Sequence, residues 1–304
     1  MHRRVKGTPR GTWYAAQGPL PGGVPRNEPP GTCPLKVSVL IPVYNEQTSV
    51  ETIVRRVTSM DLTTVGAPVE LELIAVDDCS TDGTPAILDR LHGAPAEAPG
   101  AGPHLERADG PETVGALRVI RHPVNRGKGA AIQTALAAAT GDYVIIQDAD
   151  FEYDPADIPR LLAPVIAGTA TVVYGSRPLD GSGGRWLLDF GNRALTWLTN
   201  LIYGTRLHDM ETCYKLLPTP LLRGFHLECR RFDMEPEITA KVVRSGHRIV
   251  EVPIDYRPRT GGKKLSARRD GLPALQALVR YRDWRPGAAP PSAKAVPGGA
   301  SARG

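Results

Sequence analysis

Five apolar, β-branched runs alternate with stretches of helical spacing, and few folds accept that order. The runs are Val37–Val43, Leu71–Val76, Leu117–Arg121, Tyr143–Gln147 and Thr171–Tyr174. They are nearly continuous rather than alternating, as strands buried on both faces are. Between them lie Glu46–Val57, a segment from Asp82 to about Leu91, Lys128–Ala139 and Asp157–Ala167. The first carries apolar residues three and four apart, at Val50, Ile53, Val54 and Val57. Asp82 is placed to cap its helix and Pro85 to sit in the first turn. Alternation at this pitch predicts an α/β chain whose mostly parallel sheet is covered on both faces.

The second half is less regular. It predicts a helix over Arg185–Tyr203, a short strand over Thr212–Leu217, a helix over Phe232–Ser245 and a strand over Ile249–Ile254. A final amphipathic helix begins with Leu272–Val279, bounded by Arg268, Arg269, Arg280 and Arg282. Residues 1–34 and 285–304 are dominated by Pro, Gly, Ala and Arg, the composition of disordered tails. The remainder, 35–284, suits a single domain. Residues 92–115 share the composition of the tails and predict a flexible insertion.

Charge is segregated along the chain. The whole carries +5, yet residues 257–284 hold eight Lys/Arg against Asp270 and Asp283, and both tails are basic. The stretch 35–256 therefore nets −8. An acidic body suits a site that gathers cations, and a basic end suits phosphate or an anionic surface. Four cysteines without CxxC spacing read as reduced thiols, and no HxxxH pair points to zinc. The N-terminus has no apolar stretch of signal-peptide kind, and no run is long enough to span a bilayer. The expected location is cytoplasmic. The arginine-flanked final helix allows peripheral contact with a membrane face.

The most informative string is Asp148-Ala-Asp150-Phe-Glu152, directly after the fourth apolar run. Ligands of open α/β sheets collect beyond the carboxyl ends of strands. Extended geometry turns alternate side chains to one face, so three carboxylates converge there. Their oxygens favour a hard divalent ion, Mg²⁺ or Mn²⁺. Helix capping by Asp148 or Asp150 is the plainer alternative. Pro42-Val-Tyr44-Asn45-Glu46 and Asp77-Asp78 follow the first two strands and supply an aromatic face, an amide and carboxylates. Asn125-Arg126-Gly127-Lys128-Gly129 precedes a helix, a natural phosphate position. GxxxxGK[ST] and GxGxxG are both absent, against an ATPase loop and a dinucleotide oxidoreductase. Arg177, then Arg185 beyond a Gly-rich segment, and the loop with Arg259, Lys263 and Lys264 are further anion-binding candidates.

IPVYNE (41–46), VDDCSTDGT (76–84), NRGKGAA (125–131) and DADFEYDP (148–155) resemble the signature blocks of family 2 glycosyltransferases. The similarity continues through GSR (175–177), DMETCYK (209–215), FDMEPEITAK (232–241) and VPIDYRPRTGGKKL (252–265), and covers roughly 36–283. It is nearest to dolichyl- and polyprenyl-phosphate mannosyl- or glucosyltransferases. The resemblance implies the Rossmann-like GT-A fold and an inverting, metal-dependent transfer of a hexose from a GDP- or UDP-sugar to a polyprenyl or dolichyl phosphate.

By the same resemblance Pro42, Tyr44 and Glu46 hold the nucleoside and Asp77 the base. Asp148, Asp150 and Glu152 hold the metal, although Gln is common at the third position. Lys128, Arg259 and Lys264 face phosphate, and Arg177 and Arg185 grip the acceptor phosphate. Asp189 stands where Ser is frequent. Asp150, Arg177 and Asp209 are the expected catalytic residues, with Asp209 or Glu211 at the position of a base in relatives that use hydroxyl acceptors. A soluble hydroxyl acceptor is thus the second expectation, and a nucleotide-sugar-binding protein without turnover the third. Nucleic acid is not an expected partner.

Overall fold

The computed structural model describes residues 33–92, 117–178, 186–229, 231, 233–258 and 267–287. Arg185, Arg259, Lys263 and Lys264 lie outside these residues, as do nearly all of the expected tails and insertion.

The sheet is built around β1 (Leu35–Val43), whose Val37, Val39, Leu40 and Ile41 are fully buried. Burial of one such side chain stabilises the fold by about 1.5–3 kcal/mol. The other strands are β2 (Val69–Asp77), β3 (Leu117–Arg121), β4 (Tyr143–Ile146), β5 (Val172–Ser176), β6 (Lys215–Pro218) and β7 (Ile249–Pro253). Their order is β3-β2-β1-β4-β6-β5-β7. Neighbours are parallel except at β6, which runs antiparallel to both β4 and β5.

Eight α-helices complete the described fold: α1 (Val50–Thr58), α2 (Thr84–His92), α3 (Lys128–Ala138), α4 (Ile158–Ile166), α5 (Trp186–Tyr203), α6 (Thr219–Gly224), α7 (Met234–Arg244) and α8 (Ala267–Arg280). The small buried face of α3, with Gly129, Ala130, Ala131 and Ala135, lets it lie close on β1 and β2. None of the helices among the described residues is long and apolar enough to cross a membrane.

Chain order places the site. From β1 the chain steps outward to β2 and β3, then returns to lay β4 on the other flank of β1. The order reverses between β1 and β4, which opens a crevice at their carboxyl ends. Register keeps those ends level: Leu40 is opposite Ile146, and Gln147 N donates to Leu40 O at 2.9 Å.

Several expectations are corrected in detail. Residues 46–49 form a turn in which Glu46 O accepts from Ser49 N and Val50 N, so α1 starts at Val50 rather than Glu46. The strand expected from Thr212 begins at Lys215, because the preceding backbone bonds to side chains: Met210 N to Thr196 Oγ1 and Cys213 N to Tyr153 OH. The six-residue α6 is too short to show a period. α8 begins at Ala267, its early turns obscured in sequence by Gly271 and Pro273.

Candidate active site

Two turns interlock at the ends of β1 and β2. Asn45 (φ 53°) and Cys79 (φ 64°) both adopt the left-handed conformation that most side chains avoid. Mutual hydrogen bonds hold them there: Asn45 N donates to Ser80 Oγ at 2.9 Å, and Thr81 N donates to Asn45 Oδ1 at 2.8 Å. Tyr44 emerges 40% exposed, while Glu46 is buried, its amide donating to Thr84 Oγ1 at 2.9 Å. Pro42 is half-buried within β1. Asp77 is buried at the end of β2, where it accepts from Ser80 N at 3.0 Å. Its neighbour Asp78 has a structural task. It accepts from Arg126 N (2.9 Å) and Gly127 N (2.7 Å) and pairs with His122 Nδ1 (2.6 Å), fixing the turn into α3. Gly127 (φ 93°, ψ 159°) occupies a region open essentially to glycine alone.

That turn aims Lys128 at the acids beyond β4. Its ammonium lies 2.7 Å from Asp148 Oδ1 and 3.8 Å from Glu235 Oε1. Burial works to lower the Lys128 pKa, but Asp148, Cys213 and Glu235 hold it well above its ordinary value. Asp150 Oδ1 accepts from Glu152 N at 3.1 Å. Burial pushes the Asp150 carboxyl up to about 7, and repulsion from Asp148, Glu152 and Glu46 adds to the shift. Glu152 is also tied across the crevice, accepting from Tyr256 OH at 3.2 Å.

The three acids expected to converge therefore reach one crevice but are held by separate partners, Lys128 on Asp148 and Tyr256 on Glu152. Among the described residues no three acidic, histidine or cysteine side chains form a ready metal-binding group. The donor set nevertheless fits a hard divalent ion: it is all oxygen, and the repulsion that raises Asp150 is what a cation relieves. The ammonium of Lys128 already neutralises one member.

Across the crevice, Arg177 follows β5. Its Nε and Nη2 donate to Asp209 Oδ2 (2.6 Å) and Oδ1 (2.8 Å), and its amide donates to Oδ2 at 3.1 Å. The guanidinium also lies near the rings of Tyr256 (5.2 Å) and Tyr153 (5.9 Å). A bidentate fork packed against two aromatic rings has little rotational freedom left. Asp209 is fully buried with both oxygens engaged, so it is poorly placed to accept a substrate proton. Lys215, in the same block, does not pair with it and turns instead to Glu235 at 2.6 Å.

The carboxylate left over is Glu211. Its Oε1 is buried with no hydrogen-bond partner among the described residues. Burial and then Glu235 push its carboxyl up to about 7, against Lys215 and Arg177. Asp189 is buried in the first turn of α5. Tyr153, Tyr256 and Glu235 were within the matching blocks but carried no assigned role. Only their position across the fold reveals one.

A model of glycosyl transferase family 2 matches residues 38–188. An uncharacterised glycosyltransferase of Mycobacterium tuberculosis is 26% identical over 227 residues, 75% of this chain and 88% of that protein. A dodecaprenyl-phosphate galacturonate synthase of Rhizobium johnstonii is 28% identical over 228 residues, 75% of this chain and 61% of that one. Among solved structures, glucosyl-3-phosphoglycerate synthase from Mycobacterium tuberculosis, in complex with Mn²⁺, UDP-glucose and phosphoglyceric acid, matches with a TM-score of 0.59. It is 21% identical, and the match covers 82% of this chain and 80% of that one. This last likeness bears on the fold alone, which is GT-A.

Proposed function

We propose that this chain, a member of glycosyl transferase family 2 through residues 38–188, moves a hexose (mannose or glucose) from a GDP- or UDP-sugar to a polyprenyl or dolichyl phosphate. The observation that carries the reading is the fixed Arg177 opposite an acidic crevice. Each bank of the crevice suits one substrate.

On the donor bank, exposed Tyr44 offers a ring face to the base, with Glu46 and Asp77 as hydrogen-bond acceptors for the nucleoside. Asp148, Asp150 and Glu152 would hold Mg²⁺ or Mn²⁺. When bound, such an ion offsets the charge of the departing diphosphate as a Lewis acid. Lys128 holds Asp148 in place and adds a cation at the first turn of α3, where the helix dipole also favours anions. On the acceptor bank, Asp209 and the two tyrosines fix the guanidinium of Arg177, whose side chain is 7% exposed, for a phosphate oxygen to meet. A phosphate monoester is anionic near neutral pH and attacks without a protein base. Asp209 therefore acts through Arg177, as a positioning residue rather than a base. Arg185, Arg259 and Lys264 keep their expected roles as phosphate contacts within this reading. The Rhizobium relative, named for a polyprenyl-phosphate product, supports the acceptor class. The solved neighbour that carries Mn²⁺ and UDP-glucose supports the donor chemistry. The expected place of action is the cytoplasmic face of a membrane.

A second reading keeps the donor and uses a hydroxyl acceptor. It is favoured by Glu211, whose unpartnered oxygen and raised pKa of about 7 suit a general base. One assay separates the two. Purified chain is incubated with Mn²⁺, radiolabelled GDP-mannose or UDP-glucose, and a short-chain polyprenyl phosphate. The first reading predicts label extracted into butanol, with Arg177→Ala slowing transfer about 100-fold, the scale of a lost substrate clamp. Label found only on a water-soluble product, and lost in Glu211→Gln, selects the second. No turnover with any donor leaves a binding protein.

A further inference from the structure

Helices α5 and α8 each bury one side and expose an apolar stripe on the other. Inward, α5 buries Thr196, Thr199 and Tyr203, and α8 buries Ala274, Ala277, Leu278 and Tyr281. Outward, α5 exposes Phe190 (68%), Trp197 (65%) and Leu201 (66%), spaced seven and four residues apart on one stripe. α8 exposes Leu272, Leu275 and Val279, spaced three and four. The helices pack together, Tyr203 OH donating to Leu278 O at 2.6 Å, so both stripes belong to one helix pair. Six of the nine exposed large apolar residues among those described lie in it. Scattered exposed apolar residues need no explanation, but a concentration of this kind does.

Charge argues for what covers the stripes. Segment 257–284, which contains α8, nets +6, whereas residues 35–256 net −8. Exposed Arg280, Arg282 and Arg285 rim the end of α8, the first two with acidic partners in Glu228 and Asp283. An anionic surface attracts this end and repels the acidic body, which orients the molecule. A second copy would set two +6 segments against each other.

Position adds a third argument. The inner face of α5 holds the acceptor-side loop: Thr196 Oγ1 accepts from Met210 N at 3.1 Å, and Asn200 brackets Leu207 at both its amide and its carbonyl. Asp209 lies between those two points. The outward stripe is thus about one helix diameter, ~10 Å, from the loop that positions Arg177.

We propose that the outer face of α5 and α8 docks flat on a bilayer containing anionic lipid, which brings the headgroup layer beside Arg177. This rests on the lipid-phosphate reading, and its test is separable from it. Full-length protein is sedimented with vesicles of phosphatidylcholine alone or with about one third phosphatidylglycerol. Wild type pellets with the anionic vesicles, and Trp197→Glu combined with Leu275→Glu weakens that binding at least about tenfold. The milder pair Trp197→Gln and Leu272→Gln, checked by melting temperature, guards against simple misfolding. Transfer to a water-soluble short-chain polyprenyl phosphate remains unchanged in both. Absence of vesicle binding by wild type overturns the proposal, as does undiminished binding by correctly folded variants. So does a wild-type dimer in light scattering that the substitutions split into monomers. If the substitutions abolish vesicle binding but wild type uses no polyprenyl phosphate, the surface stands and the acceptor reading fails.

Discussion

On the β1–β4 bank of the crevice, Asp148, Glu152 and Glu46 crowd towards Asp150, and Lys128 pairs with Asp148. On the β5–β6 bank, buried charges come in matched pairs: Arg177 with Asp209, Lys215 with Glu235, Lys241 with Glu237. The contrast separates two uses of charge. Paired charges hold geometry, because removal of either partner strands the other in a medium that solvates it poorly. Crowded like charges do the opposite: they raise the energy of the site, and a cation relieves it. In the proposed reading, one bank persists as built and the other is completed by a cation.

The sharpest way to break this comparison is Asp209→Ala. Loss of one partner from a buried pair destabilises a fold by about 3–5 kcal/mol. The expectation is a large drop in urea midpoint, with unaltered m-value. A variant as stable as wild type would remove Arg177–Asp209 from the account of the acceptor bank.

Glu211 tests the border between the two behaviours. Its carboxyl is raised above the ordinary glutamate value, so the folded state binds its proton more tightly than the unfolded chain does. The resulting stability is present in full below the ordinary glutamate range and is lost as pH rises through about 7. Urea melts across that window are expected to show this decline, and Glu211→Gln to flatten it. A matching rise of transfer rate with pH, absent in Glu211→Gln, would sharpen the case for a hydroxyl acceptor.

The smallest effect is reserved for the surface. Glu51 pairs with Arg55 and Arg90 on exposed helices. Glu51→Ala is expected to cost less than about 1 kcal/mol, as exposed pairs do, and less still in high salt. A loss comparable to Asp209→Ala would show that pairing at a surface and in the interior do not differ here.

The same contrast governs what was legible in sequence. Strands β1 and β4 and the second half of β2 announce themselves as continuous apolar runs, and Asp148 and Asp150 lie one and three residues past Gln147. Chemistry placed at a strand end is local, so position along the chain locates it. The acceptor bank is not local. Arg177 and Asp209 are 32 residues apart, and no periodicity connects them. β6 is four residues long, and nothing within it declares that it runs antiparallel. That reversed strand carries Lys215 towards Glu235 and leaves Asp209 to Arg177. Hence Asp209 could be picked out in the sequence, but its partner could not. Helix α5 was legible as a helix, and only packing shows that Phe190, Trp197 and Leu201 remain outside.

Mn²⁺ binding measured by electron paramagnetic resonance, with GDP or UDP present, tests the central claim most directly. The account predicts one bound ion per chain in wild type and its loss in Asp150→Asn, with the melting temperature of the metal-free variant equal to or above that of wild type. Equal Mn²⁺ binding by the two proteins would contradict it.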